Sequence, residues 1–335
     1  MAQPPVFAGM RLIDGEAITA TMDYDGAAAA LEAALRAGVD PETDGERSRL
    51  TTPTGELLLM PSTDGRYSGI KVLSSTPDNA TRDAPLIQGS YLLFEGPEQR
   101  SAAVLDGIAV TSLRTPAVTL LGLRALGARP RDEAGAGLHA VVFGAGTQAG
   151  AHAVALATSR ALPVASVSVI GREADGLARI EAAVRAASDE VEVRTFAAGR
   201  AEGDELDAEV ARADVIVTCT SAPTPLVDGS LVHDGAVVVA MGSHFPSDRE
   251  TDDALISRAH VVVESRAATL REAGDVMIPI DSGLLDPVRI TTLRDAVLGN
   301  PPEADRPRFF KFTGMPWEDL AVAAALYEAC SSDRH

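Results

Sequence analysis

Residues 143–149 read FGAGTQA, directly after the apolar run LHAVV. This stretch sets Gly144, Gly146 and Ala149 in a GxGxxA spacing, with Ala145, Thr147 and Gln148 between them. At the junction of a strand and a helix, such a turn offers unpaired N–H groups and the positive end of a helix dipole to a pyrophosphate. Gly144 would permit the tight turn, Gly146 the close approach of backbone to phosphate, and Ala149 close packing of helix on strand. The alternative is a plain strand-to-helix turn with no ligand. The next β-rich run ends VIGRE, placing Gly171 and Arg172 where a dinucleotide's adenosine ribose is read. An acidic residue there suits a ribose 2′-hydroxyl, whereas a guanidinium pairs with a 2′-phosphate. NADP(H) is therefore favoured, and Glu173 one residue later leaves NAD(H) open.

These residues need a scaffold, and residues 138–265 supply its pattern. Short runs rich in Val and Ile (LHAVVFG, VASVSVIG, VEVRTFA, DVIVTCT, GAVVVAMG, HVVVES) alternate with helical ones. Apolar runs without polar alternation are how strands buried on both faces of a parallel sheet read, so a doubly wound α/β domain is predicted. Before it, a helix at about 24–37 and strand-like pieces GELLLMP, SGIKVLSS, GSYLLFE and SAAVLDG predict a mostly antiparallel sheet in a separate α+β domain. A helix is expected from near Thr115, followed by a linker at 126–137. MPWEDLAVAAALYEAC reads as an amphipathic helix with Trp317, Leu320, Ala324 and Tyr327 near one face. The tail after residue 300 is expected to return to the first domain and to take no place in the parallel sheet.

Composition narrows the classes of function. A chain of 335 residues exceeds one core and suits two domains. Its 46% apolar and 23% charged residues are those of a globular protein, and no apolar run approaches the roughly 20 residues of a membrane span. The first residues lack the basic and apolar segments of an export signal. With only Cys219 and Cys330, a reducing cytoplasm is expected. A net charge of −19 argues against nucleic acid and anionic membrane surfaces as partners.

Further stretches then carry a resemblance. RSRLTTPTGELLLMPS, GIKVLSSTPDN, AVTSLRTPAV, VVFGAGTQAGAHAVAL, VTCTSAPTPLV, MGSHFPSDRETD, REAGDV and TGMPWEDLAVAAALYEAC resemble, in order over about residues 47–330, signatures of the ornithine cyclodeaminase/mu-crystallin family. The resemblance implies a Rossmann domain at 126–299 inserted in an α+β substrate-binding and dimerisation domain made of 1–125 and 300–335, and a homodimer. It implies a clamp for a substrate carboxylate at Arg47, Lys71 and Arg114, with Arg49 an alternative to Arg47. It also adds Thr115, Thr218, Thr220, Met241 and Gly242 to the cofactor contacts, and implies no metal. Bidentate guanidinium binding and a lysine able to move a proton fit an amino- or imino-acid substrate.

Two positions depart from the cyclodeaminases of that family. Leu58 stands where they carry a catalytic glutamate, and His244 where their second catalytic carboxylate lies. Closing a ring on a diamine needs carboxylates that Leu58 cannot replace, while His244 can serve as acid or base in a simpler redox step. The expected activity is NADPH-dependent reduction of a ketimine such as Δ1-pyrroline-2-carboxylate or Δ1-piperideine-2-carboxylate, or interconversion of an L-amino acid and its 2-oxo acid. Leu58 would line the side-chain pocket, with Lys71 and His244 as the proton-transfer groups. The alternatives are an ornithine or lysine cyclodeaminase using bound NAD, and a non-catalytic binder of NADPH and a small ligand.

Overall fold

The computed structural model describes residues 7, 9–82, 84–131, 137–198 and 203–332. Most of the N-terminal stretch read for an export signal, and residues 132–136 of the expected linker, lie outside the described residues. The described residues divide into two compact units, one up to Arg114 and again from Met315, the other Thr115–Gly314.

The first unit opens with β1 (Arg11–Ile13), α1 (Gly15–Thr21) and α2 (Tyr24–Arg36). Strands β2 (Ser48–Thr52), β3 (Gly55–Thr63), β4 (Tyr67–Ser75), β5 (Ile87–Glu95) and β6 (Arg100–Asp106) follow. They form one sheet in the order β1-β6-β5-β4-β3-β2, antiparallel except where β1 runs parallel to β6. Pairing in register sets the faces. Lys71 lies opposite Met60 on one side and Tyr91 on the other, so these three share a face with Leu58 and Leu73. The opposite face carries Leu12, Val104, Leu92 and Ile70 side by side across four strands. Leu12 is 80% exposed and Leu50, farther along that face, 57%.

Helix α3 (Gly107–Ala125) begins eight residues before the expected start at Thr115. Asp106 caps it, its Oδ1 accepting from the N–H groups of Ile108 at 2.8 Å and Ala109 at 3.0 Å. Thr115-Pro116 imitates a helix start, because proline is favoured in a first turn, yet Pro116 lies inside the helix.

The second unit carries β7 (Leu138–Phe143), α4 (Thr147–Thr158), β8 (Val164–Gly171), α5 (Ala174–Ala187), β9 (Glu192–Ala197), α6 (Gly203–Arg212), β10 (Val215–Thr218) and β11 (Val237–Ala240). It continues with α7 (Asp253–Arg258), β12 (His260–Val263), α8 (Arg266–Glu272), α9 (Gly274–Asp281), β13 (Thr291–Thr292), α10 (Leu293–Val297) and β14 (Arg308–Lys311). All eight strands are parallel, in the order β13-β12-β14-β11-β10-β7-β8-β9. This is the doubly wound Rossmann arrangement, and its order reverses between β7 and β10, where such sheets bind nucleotides. Every residue of β7, β10 and β11 is buried, in keeping with their largely apolar sequences.

Strand β14 corrects the expectation that nothing after residue 300 enters this sheet. It lies between β11 and β12, with Phe309 and Phe310 fully buried. The Phe310 ring fills the space over Gly122, where a Cβ would come within 2.6 Å of it.

The last described element is α11 (Pro316–Ser332), which packs on β3, β4, β5 and α2 of the first unit. It is not the amphipathic helix expected. Glu318 and Asp319 are as fully buried as Trp317 and Leu320 beside them, because they meet the buried cations Lys71 of β4 and Arg114 of α3.

Candidate active site

The turn after β7 has the geometry its spacing suggests. Gly144 has φ +132, and a Cβ there would lie 2.8 Å from the Cys219 carbonyl oxygen and 3.1 Å from the Ala149 Cβ. Glycine is therefore required both by conformation and by space. Gly146 differs: it is the N-cap of α4 with φ −92 and no side-chain cap, and a Cβ would meet nothing within 4 Å. The α4 N-terminus thus has no side-chain cap, an arrangement that suits an anion. Gly171, at the end of β8, lets the turn close in, since a Cβ there would come 2.8 Å from Ala145. Gln148 Oε1 and Thr218 Oγ1 are buried without a hydrogen-bond partner, a polar deficit that a bound dinucleotide's polar groups suit. Arg172 is exposed and makes no ion pair among the described residues.

The loops after β10 and β11 meet through a residue the sequence reading passed over. Glu250, fully buried, accepts from Thr220 N–H at 2.8 Å and its hydroxyl at 2.7 Å through one oxygen, and from Gly242 N–H at 2.8 Å and Ser243 N–H at 3.2 Å through the other. Thr218, Thr220, Met241 and Gly242 are thereby brought together, Met241 N–H also donating to the Thr218 carbonyl at 3.1 Å. Asp275 accepts from the Glu250 N–H at 2.9 Å and lies 3.2 Å from Lys311 Nζ, which donates to the Ser243 carbonyl at 2.6 Å. His244 follows on the same loop, half-buried, its Nδ1 3.3 Å from the Gly242 carbonyl oxygen and its ring packed on Phe245. Cys219 sits between, and burial pushes its thiol well above the usual range, away from thiolate chemistry. Thr115 is buried in α3.

In the first unit, Lys71 and Arg114 come together around the start of α11. Lys71 Nζ lies 2.7 Å from both carboxylate oxygens of Asp319 and donates to Thr111 Oγ1 at 3.2 Å. Arg114 donates from Nε to Asp319 Oδ1 at 3.0 Å and from Nη1 to Glu318 Oε2 at 3.0 Å. Lys71, Glu318 and Asp319 have no exposed surface, and Arg114 is 6% exposed. Glu318 and Asp319 occupy the first turn of α11, where the helix dipole favours carboxylates, and Asp44 anchors that turn by accepting the Trp317 N–H at 2.7 Å. Burial pulls the Lys71 ammonium down to about 8, against the raising pull of Asp319.

Neither Asp319 nor Glu318 was foreseen as part of the site. Their signal is two adjacent acids in a helix otherwise rich in Ala, Leu and Val.

The family model for the ornithine cyclodeaminase/mu-crystallin family matches residues 15–334. The chain belongs to the ornithine cyclodeaminase/mu-crystallin family. It is 32% identical over 327 residues to Delta(1)-pyrroline-2-carboxylate reductase 2 of Burkholderia ambifaria, covering 96% of this chain and 94% of that one. It is also 32% identical to the Delta(1)-pyrroline-2-carboxylate/Delta(1)-piperideine-2-carboxylate reductase of Azospirillum brasilense, over 85% of each chain. Among solved structures, the Thermococcus litoralis Delta(1)-pyrroline-2-carboxylate reductase, in complex with NADH and L-proline, superposes with a TM-score of 0.81 at 21% identity over 97% of this chain and 98% of that one.

Within this member of the ornithine cyclodeaminase/mu-crystallin family, Leu58 is half-buried on β3, opposite Leu73 and on the face that carries Lys71. Arg47 is half-buried just before β2. Arg49 is tied to Glu56 at 2.6 Å, so its guanidinium is already engaged. No group of His, Cys, Asp and Glu among the described residues could hold a metal ion. No helix among them is long and apolar enough to cross a membrane.

Proposed function

We propose that the protein is an NADPH-dependent oxidoreductase that reduces a small ketimine of the Δ1-pyrroline-2-carboxylate or Δ1-piperideine-2-carboxylate type to the cyclic amino acid, with oxidation of an L-amino acid as the same chemistry reversed. One observation carries the reading: a fully buried lysine ammonium, held by Asp319 next to Arg114, on a sheet face where Leu58 replaces any carboxylate. Reduction of C=N requires a hydride at carbon, a proton at nitrogen and a hold on the carboxylate. A bound nicotinamide dinucleotide supplies the hydride. Lys71 is the proton donor, Arg114 and Arg47 hold the carboxylate, and Leu58 lines an apolar wall for the ring.

Arg47 is included for its place in the family motif, with Arg49, which pairs with Glu56, as the alternative. His244 is the second candidate for proton transfer. The residues 144–149 would hold the pyrophosphate, with Gly171 and Arg172 at the adenosine end and Thr115, Thr218, Thr220, Met241 and Gly242 completing the cofactor contacts.

The curated relatives named above are reductases of these imino acids, which supports the substrate class. Purified protein given Δ1-pyrroline-2-carboxylate and NADPH is expected to lose nicotinamide absorbance and form proline in equal amounts. Release of ammonia from ornithine without net NADPH oxidation would show a cyclodeaminase instead, and ligand-induced stabilisation without turnover would show a binder.

Arg172 supports NADP(H) over NAD(H). Arg172→Asp is expected to lower kcat/KM with NADPH by about 10- to 100-fold, the loss of one or two charge-assisted hydrogen bonds, with NADH turnover changed by less than about threefold. An unchanged ratio of the two would refute the preference.

The apolar outer face of the first unit's sheet supports a homodimer with a second copy covering it. Leu12, Leu50 and Leu92 are exposed there at 80%, 57% and 36%. Leu92→Glu is expected to sediment as a monomer where the parent sediments as a dimer, and a variant that remains dimeric would exclude this face. A cytoplasmic location belongs to the same proposal, since both cysteines are free thiols.

A further inference from the structure

We propose that Asp319 is a positioning residue for the proton that Lys71 delivers: its carboxylate keeps Nζ an ammonium and fixes the direction in which that ammonium points. The inference rests on the reductase reading for its catalytic consequence, while the hold of Asp319 on the Lys71 proton stands on geometry alone.

Every element packed against Nζ contributes to the balance. From β3 and β5 come Met60 and Tyr91, directly opposite Lys71, and neither carries charge. The Tyr91 hydroxyl is buried without a partner, and burial raises it well above the usual range, so it stays neutral. From α3 come Thr111, whose oxygen accepts from Nζ while its own proton goes to the Gly107 carbonyl at 2.7 Å, and Arg114, whose positive charge opposes that of Lys71. From α11 come Asp319 and, farther off, Glu318. Asp44 lies near Asp319, and burial pushes its carboxyl up.

In this setting burial and Arg114 both drive the proton off Lys71, and Asp319 is the largest influence keeping it on. The same Asp319 oxygen that Nζ reaches also takes Arg114 Nε, so one carboxylate sets the spacing of the proton donor and the guanidinium. In the step itself a hydride adds to the imine carbon, and the π pair of C=N takes a proton from Nζ. A bound nicotinamide would supply that hydride and be oxidised in turn, the product nitrogen would carry one more hydrogen, and Lys71 would be left neutral until water restores its proton.

The composition of the chain makes the test direct. It contains two lysines, Lys71 and Lys311, both fully buried, so protein labelled with 13C at lysine Cε gives two resonances, and Lys71→Met assigns them. The wild-type Lys71 signal is expected to titrate near 8. Asp319→Asn should move that midpoint down by about one to three units, Glu318→Gln by less, and Asp319→Glu should stay within about half a unit of the parent. The alkaline limb of kcat/KM should move with the Lys71 midpoint in each variant.

A midpoint unmoved in Asp319→Asn, or a limb that shifts while the midpoint does not, would overturn the proposal. If Asp319→Asn fails to fold, the double variant K71M/D319N should recover folded protein, because the stranded ammonium is gone. A double variant as unfolded as the single one would overturn it equally. Should the wild type reduce no imine, the reductase reading fails by turnover while the resonance titration still decides the role of Asp319.

Discussion

Lys71→Met is expected to lower kcat/KM for ketimine reduction by about 10²- to 10⁴-fold, the usual contribution of a positioned proton donor, while dinucleotide affinity stays at the parent value. Methionine is close to lysine in length and fills the same buried space, so the change removes the proton and charge with little loss of packing. The substrate carboxylate keeps Arg114 and Arg47, and the loss should therefore fall mainly on kcat. Stripping one partner from a buried ion pair typically costs about 3–5 kcal/mol. Here the cost should be smaller, because Asp319 keeps its bond from Arg114 Nε at 3.0 Å and the desolvated ammonium itself disappears. Denaturant unfolding and single-turnover rates measure the two quantities separately. Activity within tenfold of the parent would remove Lys71 from the proton path.

The same lysine gives the pH dependence. In the proposed reaction its ammonium form is the donor, and burial pulls the folded value down to about 8 from 10.5. Reduction should therefore proceed below that value and fall as pH rises through it.

The second large effect concerns the turn after β7, where two glycines should fail in opposite ways. Gly144→Ala forces a side chain into φ +132 and against the Cys219 carbonyl oxygen at 2.8 Å, so stability should fall by about 1–3 kcal/mol or more. Gly146→Val places its side chain where nothing in the protein stands within 4 Å, at an ordinary φ of −92, so the protein should fold with an unchanged melting temperature. That side chain would occupy the space left for phosphate, and dinucleotide affinity should drop by about 10²- to 10⁴-fold, the equivalent of two charge-assisted hydrogen bonds. Melting curves with and without NADPH separate the cases, since bound dinucleotide should stabilise the parent. A Gly146→Val protein that NADPH still stabilises as strongly as the parent would mean the phosphates lie elsewhere.

What the sequence made legible, and what it hid, follows from the reach of each interaction. The doubly wound sheet was readable because β7, β10 and β11 are buried on both faces and are apolar but for His139 and Thr218. The turn after β7 was readable because Gly144 answers to a local backbone demand. Strand β14 was not, since a four-residue segment with Arg308 and Lys311 at its ends becomes a strand only through the neighbours waiting on either side. The start of α3 was masked by Pro116, a residue that usually marks a first turn. The acids of α11 were hidden for a third reason. Asp319 is 248 positions from Lys71 and 205 from Arg114, so the pairing that turns an apparent polar face into a buried one exists only in the folded chain. Glu250 is similar, joining two loops whose closeness only the parallel sheet creates.

Family membership and the fold leave one chemical claim at the centre, that hydride passes from the nicotinamide to the imine carbon of a small cyclic substrate. Reduction of Δ1-pyrroline-2-carboxylate with NADPH carrying deuterium at the transferable C4 position measures it. Proline one mass unit heavier, with the label at Cα and in step with nicotinamide oxidation, is the expected product. Unlabelled proline, or no proline from the imine while ornithine gives ammonia and proline without net nicotinamide oxidation, would contradict it.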